Sequence, residues 1–198
     1  MFAYCNNNPV AGFDPSGYAN GWGILAGALL IVAGVGCIFA SGGAATPAGA
    51  ALFVQAGVML GVTGAITTDC AVEESVMVVD VSASDPFTAE KKGISLVIDF
   101  EDSTFDLYGH YGYTMSKGGS PITFSAGKVY NYENSGDYSG EFVNGGGYAG
   151  WIGGDYCRSP DVDPESCNAR SITFGLPGTR GMGTYIGADY FFQLGYWG

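Results

Sequence analysis

The sequence predicts an α+β protein: an apolar two-helix hairpin followed by a small antiparallel β-sandwich or barrel of six to eight strands. Three observations predict it. Residues 15–68 run for 54 consecutive positions without Asp, Glu, Lys, Arg or His, and hold two apolar runs of helical length around a Gly/Pro turn. From residue 71 onward the chain shows the two-residue alternation of half-buried strands. The 34 glycines among 198 residues supply tight turns between short strands.

Composition excludes several functions. Seven basic against nineteen acidic residues give a net charge of −12, which argues against nucleic acid as a partner, since that role needs a positive surface. His110 is the one histidine, so multi-histidine metal centres are excluded. With no C-x-x-C pair a zinc site is not expected, and no motif calls for a cofactor. A chain that is 47% hydrophobic and 13% charged has material for a core and is not a disordered tail.

The N-terminal segment, 1–20, holds two turn clusters, Asn6-Asn7-Asn8-Pro9 and Asp14-Pro15-Ser16-Gly17. Proline presets φ, and Asn or Asp side chains bond their own backbone. No basic stretch and apolar block of a signal peptide precede them, so the chain reads as the tail of a longer protein. Phe2 to Val10, with Pro9, Asp14, Pro15 and Gly17 in Pro-x-x-x-x-Asp-Pro-x-Gly spacing, resembles the closing portion of the core domain of Rhs/YD-repeat proteins. That resemblance implies a core remnant at 1–20, followed by a variable C-terminal extension, often a toxin-like effector, enclosed by an upstream β-shell. It also implies secretion or display as part of the longer protein, and a cognate immunity protein as partner. Self-cleaving relatives carry paired Asp-Pro motifs and a leucine after the glycine. Here Asp14 has no such partner and Tyr18 follows Gly17, so Asp14 reads as a turn residue.

The hairpin is placed at 21–70. Ile24–Ala40 and Ala50–Ile66 each span about 25 Å as helices, near the lower limit for crossing a bilayer. Thr46 is the expected N-cap of the second helix, with Pro47 at its first position. Gly23 with Gly27, and Gly57 with Gly61, repeat at the four-residue spacing that lets helix backbones approach. Leu29 and Leu30 lie in the apolar run. Length and lack of charge favour membrane contact over burial within a protein wall.

The remainder, 71–198, reads as the β-domain. Val76–Val79, Ile94–Phe100, Phe105–Tyr113, Ile122–Glu133, Gly147–Cys157, Ser171–Leu176 and Thr184–Trp197 are the expected strands. Ile94, Leu96, Ile98 and Phe100 share one face, and Tyr190, Phe192, Leu194 and Tyr196 another. Tyr130–Phe142 is similar to modules that follow Rhs-type cores.

No catalytic motif is present, and the sequence leans away from an enzyme. Cys157 and Cys167 bracket a nine-residue loop that a disulfide could close in an oxidising compartment. Asp161, Asp163 and Glu165 alternate within it but lack the pattern of a calcium loop, so a solvated loop is expected. His110 shares a strand face with Asp106 and Tyr108 and reads as exposed. With Glu141 it is the candidate should the domain be an enzyme toxin, because histidine titrates near neutral pH. The remaining alternative is a non-toxic cell-surface binding module.

Overall fold

The computed structural model describes residues 23–31, 33, 42, 46–85, 87–116, 121–160, 166–175 and 182–197. The Pro9, Asp14, Pro15 and Gly17 motif lies outside the described residues. The chain divides into two compact units, Met1–Ser75 with Phe100–Ser103, and Val76–Asp99 with Thr104–Gly198.

The first unit holds helix in both expected runs, although residues 34–40 of the first lie outside the described residues and the second is longer than Ala50–Ile66. α1 is described over 23–31 and 33, and α2 is Pro47–Val72. Thr46, in extended backbone, accepts a hydrogen bond from the Gly49 N–H at 3.1 Å, and Pro47 opens the helix where no N–H is needed. The hydroxyls of Thr63, Thr67 and Thr68 donate to the Met59, Thr63 and Gly64 carbonyls, so these three hydroxyls are satisfied within the helix.

The helices meet through small residues. A Cβ on Gly23 would lie 2.5 Å from Ala71 Cβ, and one on Gly27 would lie 2.6 Å from the Gly64 carbonyl oxygen. Gly23 and Gly27 are therefore the close-approach positions of α1, but their counterpart on α2 is Gly64, not the expected Gly57–Gly61 pair. Gly57 is buried, whereas Gly61 faces open space. The contact falls one turn further along because Thr68 and Ala71 continue the same stripe. Leu29 is 61% exposed and Leu30 half-buried, and Leu25, Leu52 and Phe53 are exposed as well. Gly49–Val72 is long and apolar enough to cross a membrane.

The second unit is a closed barrel of eight antiparallel strands, which decides between the two architectures the sequence left open. The strands are β1 (Val76–Ser84), β2 (Glu90–Asp99), β3 (Thr104–Ser116), β4 (Ile122–Tyr130), β5 (Gly140–Ala149), β6 (Ile152–Arg158), β7 (Asn168–Gly175) and β8 (Met182–Trp197). Around the barrel they run β1-β2-β3-β8-β5-β6-β7-β4. Two successive Greek keys, ordered 4-1-2-3 and 8-5-6-7, thus share one closed sheet. The expected single strand Gly147–Cys157 is instead a hairpin that turns at Gly150, whose φ of +66° suits glycine. Without Pro or Asn, and with glycines on either side, Gly150 did not stand out as a turn in the sequence.

The register fixes which face is inside. Val78, Asp80 and Ser82 pair with Val97, Ser95 and Gly93, and these with Asp106, Tyr108 and His110. Ser95 and Val97 are buried, whereas Ile94 is 54% exposed. The apolar stripe Ile94, Leu96 and Ile98 therefore lies on the outer wall. Tyr190 and Phe192 are outward too, and Phe191 is inward.

One end of the barrel is filled. Val76, Val78, Val97, Tyr108, Val129, Phe142 and Phe191 form an apolar layer, into which Tyr138 from the β4–β5 loop inserts. Its ring packs edge-on against Tyr108 and Phe191. The same loop is anchored on buried Asp106, which accepts from the Tyr132 hydroxyl, Ser135 Oγ at 2.8 Å and Gln193 Nε2 at 2.6 Å. The Gly136 N–H donates to the Tyr108 hydroxyl. Eight strands leave an interior just wide enough to be filled by side chains or to hold one small ligand. Here the lower half is filled.

Candidate functional site

Above the apolar layer the inward positions turn polar and charged. Asp80 comes from β1, Lys91 and Ser95 from β2, His110 from β3, Asn144 from β5, Asp155 from β6 and Asp189 from β8. Alternation places each of them inside, because their neighbours in sequence face out.

The contacts link these groups. Asp80 Oδ1 accepts from His110 Nε2 at 2.7 Å and from Ser95 Oγ at 2.7 Å. Lys91 Nζ donates to Asp189 Oδ2 at 2.7 Å, and Asn144 Nδ2 donates to the same oxygen at 2.5 Å. The His110 ring stacks on Phe191, centroids 4.8 Å apart, with Nδ1 3.9 Å from Asp189 Oδ2.

Burial acts differently on the two wall carboxylates. At Asp80 it works to raise the pKa, but the His110 bond and the charges of His110 and Lys91 outweigh it and hold the carboxyl below its usual range. At Asp155 burial prevails over the attraction of Lys91, and the pKa is raised. Burial would lower Lys91, yet Asp189 and Asp80 raise it above the usual lysine value. Tyr185, hydrogen-bonded to Asp155, is raised, chiefly by burial.

These charges form the base of an open pocket of about 90 Å³. Asp80, Lys91 and Asp155 line its depth. Ser82, Thr114, Thr123 and Thr173 give it a ring of hydroxyls, with Tyr148, Trp151 and Tyr185 as aromatic walls. Trp151 stacks on Phe174 at 6.1 Å, which fixes its ring. A smaller cavity of about 20 Å³ shares Asp80, Lys91, Ser125 and Asp155 with the pocket and adds Asn144 and Asp189. Two carboxylates whose environments push their pKa values apart can act as proton donor and charge stabiliser toward a bound molecule.

The sequence candidates are placed as follows. His110 shares the inner face with Asp106 and Tyr108, as alternation predicts, but it is 3% exposed rather than open to solvent. Closure of the barrel buries that face, and His110 lies behind Asp80, outside the pocket wall. It is a positioning residue for Asp80. Glu141 is on the outer face of β5, exposed and apart from the pocket. Cys157 and Cys167 are both free and buried, so the expected bridge is not formed. Each thiol packs in the apolar layer, where burial raises its pKa, to about 12 for Cys167. Residues 161–165, with Asp161, Asp163 and Glu165, lie outside the described residues.

Sequence reasoning missed Asp80, Lys91, Asn144, Asp155 and Asp189. The available signal was an acid in mid-strand: Asp80 within Val78-Val79-Asp80-Val81, and Asp189 beside Tyr190-Phe191-Phe192. A charge there implies either an edge or a polar interior. No family model, no curated protein and no solved structure matches this chain, so the site is read from its own geometry.

Proposed function

We propose that this chain is the toxin-like C-terminal effector region of a bacterial Rhs-type protein and that its barrel works through the open polar pocket on a small molecule. One observation carries the pocket reading: Asp80, Lys91, His110, Asp155 and Asp189 are gathered inside the barrel, three of them on the wall of a cavity open to solvent. Withdrawing such ions from water costs several kcal/mol each, and an apolar filling of similar volume would close the barrel at least as well. Their concentration at one level is the usual mark of a working site.

The Pro9–Gly17 pattern supports the Rhs assignment, and with it delivery as part of a longer secreted or surface protein and neutralisation by an immunity protein. Membrane association through the hairpin is supported by the length of α2 and the exposure of Leu29, Leu52 and Phe53. In this reading the hairpin brings the barrel to a membrane, and the pocket does the work.

Inducible expression of the full chain in a bacterium tests both parts. The pocket reading expects growth arrest that Thr173→Trp, which fills the cavity, and Asp155→Asn relieve. Arrest that survives both substitutions but is lost in Leu29→Asp would instead make the hairpin the active part. No arrest in any compartment leaves the surface binding module as the reading.

A further inference from the structure

Four buried side-chain oxygens around the two cavities have no hydrogen-bond partner among the described residues: Thr114 Oγ1, Asn144 Oδ1, Asp155 Oδ1 and Asp189 Oδ1. All four can accept a hydrogen bond, and all belong to groups lining the cavities. Asn144 and Asp189, only 2% and 3% exposed, belong to the interior, whereas Thr114 and Asp155 are half-buried on the wall of the open pocket. A buried acceptor left unpaired costs about 1–3 kcal/mol. The set therefore takes donors from outside the chain, from water or from a bound molecule that displaces it.

Charge points the same way. Asp80, Asp155 and Asp189 stand against the ammonium of Lys91 and the ring of His110, and Lys91 is already committed to Asp189. The whole chain, at −12, disfavours anions. A bare metal ion does not fit, because no three of the described His, Cys, Asp and Glu side chains group as ligands around one point. The acceptors are instead spread from the inner cavity to the pocket, a span that suits a molecule and not a single centre. A neutral polyol brings as many acceptors as donors and adds no charge, whereas an amine or guanidinium brings donors and a positive charge together. The aromatic walls, Tyr148, Trp151 and Tyr185, suit the cation or its apolar chain.

We infer that the pocket receives a small organic cation with several N–H donors, a primary amine or guanidinium, seated on Asp155 with its chain against Trp151 and Tyr148. This rests on the pocket reading above and names its ligand class. Binding requires no covalent step.

Calorimetric titration of the full chain with four-carbon probes differing only at their ends tests it: putrescine, 1,4-butanediol and succinate, with agmatine as the guanidinium arm and glucose as a ring polyol. The expected result is binding of putrescine or agmatine and none of the other three. Asp155→Asn, which keeps shape and removes the charge, should weaken binding tenfold or more. Thr114→Val should weaken it less, and Glu141→Gln on the outer wall should leave it unchanged. Thermal unfolding of each variant separates lost binding from lost fold, and Thr114→Val carries the test if Asp155→Asn does not fold. Butanediol or glucose binding as tightly as putrescine overturns the cation class, while relief of growth arrest by Thr173→Trp would still uphold the pocket. Binding of succinate, indifference to Asp155→Asn in a folded variant, or no binding of either cation at millimolar concentration also overturns it.

Discussion

His110 Nε2 reaches Asp80 Oδ1 at 2.7 Å although β2 runs between their strands in the sheet. Gly93 makes the reach possible. It pairs with both Ser82 and His110, and a Cβ there would lie 2.7 Å from a carbon of the imidazole. The bare position lets the ring lean across β2 toward the carboxylate. With Asp80 held ionised, Nε2 is the nitrogen that donates.

Because the folded carboxyl of Asp80 sits below its usual value, its contribution to stability is present above the ordinary carboxylate range and is lost as pH falls through the depressed value. His110→Ala should flatten that acid limb in a plot of urea midpoint against pH. Asp155 has the opposite sign: its raised pKa means stability is lost as pH rises from the ordinary carboxylate range through the raised value. Asp155→Asn should therefore have a higher urea midpoint than the parent near neutral pH. An unchanged or lower midpoint in a correctly folded protein would refute the assignment.

Lys91 and Asp189 form a pair with side chains 15% and 1% exposed. Lys91→Met leaves a buried carboxylate without its cation and should cost about 3–5 kcal/mol. Adding Asp189→Leu to Lys91→Met should recover most of that loss, since the uncompensated charge is gone. Urea unfolding of the two single variants and the double variant gives the coupling. Strictly additive losses would mean that the ammonium and carboxylate do not depend on each other.

Tyr138 closes the filled end, and its ring touches Tyr108, Phe142 and Phe191. Tyr138→Ala should destabilise the barrel by about 3–5 kcal/mol, the range for removing a buried aromatic ring. Tyr138→Phe should cost far less, because packing and not the hydroxyl holds the loop. Thermal denaturation of both variants checks the contrast.

The two glycine environments of the hairpin should respond oppositely to a methyl group. Gly27→Ala drives a Cβ into the Gly64 backbone and should open α1 from α2, seen as faster proteolysis of the hairpin. Gly61→Ala meets nothing within 4 Å and gains up to about 1 kcal/mol of helix propensity. Equal protease sensitivity of the two variants would contradict the packing described.

Cys157 and Cys167 should resist a thiol reagent while the barrel is folded and react fully in denaturant, because burial keeps both protonated at neutral pH. Mass analysis without reductant should find both as thiols. A bridged mass from freshly purified protein would refute this.

Much of the secondary structure was legible. Thr46-Pro47 marked the start of α2, and the alternation in 94–100, 105–113 and 184–197 marked β2, β3 and β8, although β2 begins four residues earlier at Glu90, so that Lys91 fell outside the expected strand, and β3 runs on to Ser116. The Gly147–Cys157 hairpin was not, since Gly146, Gly147, Gly150, Gly153 and Gly154 suit strand and turn alike. Asp106, Tyr108 and His110 were correctly placed on one face, but whether that face met water was not readable from β3 alone.

The sequence by itself determined where α2 and most of the strands form, the β5–β6 hairpin excepted, through local rules of capping, uninterrupted apolarity and two-residue alternation that need no distant partner. Only the tertiary structure decided which face of each strand is inside. Both faces carry apolar residues, Ile94 and Leu96 on one and Val97 and Tyr108 on the other, so local pattern gave no preference between them. Closure of eight strands into one sheet made the choice. It turned Ile94 outward and brought Asp80, Lys91, His110, Asp155 and Asp189, spread over more than a hundred residues of chain, to one level of the barrel.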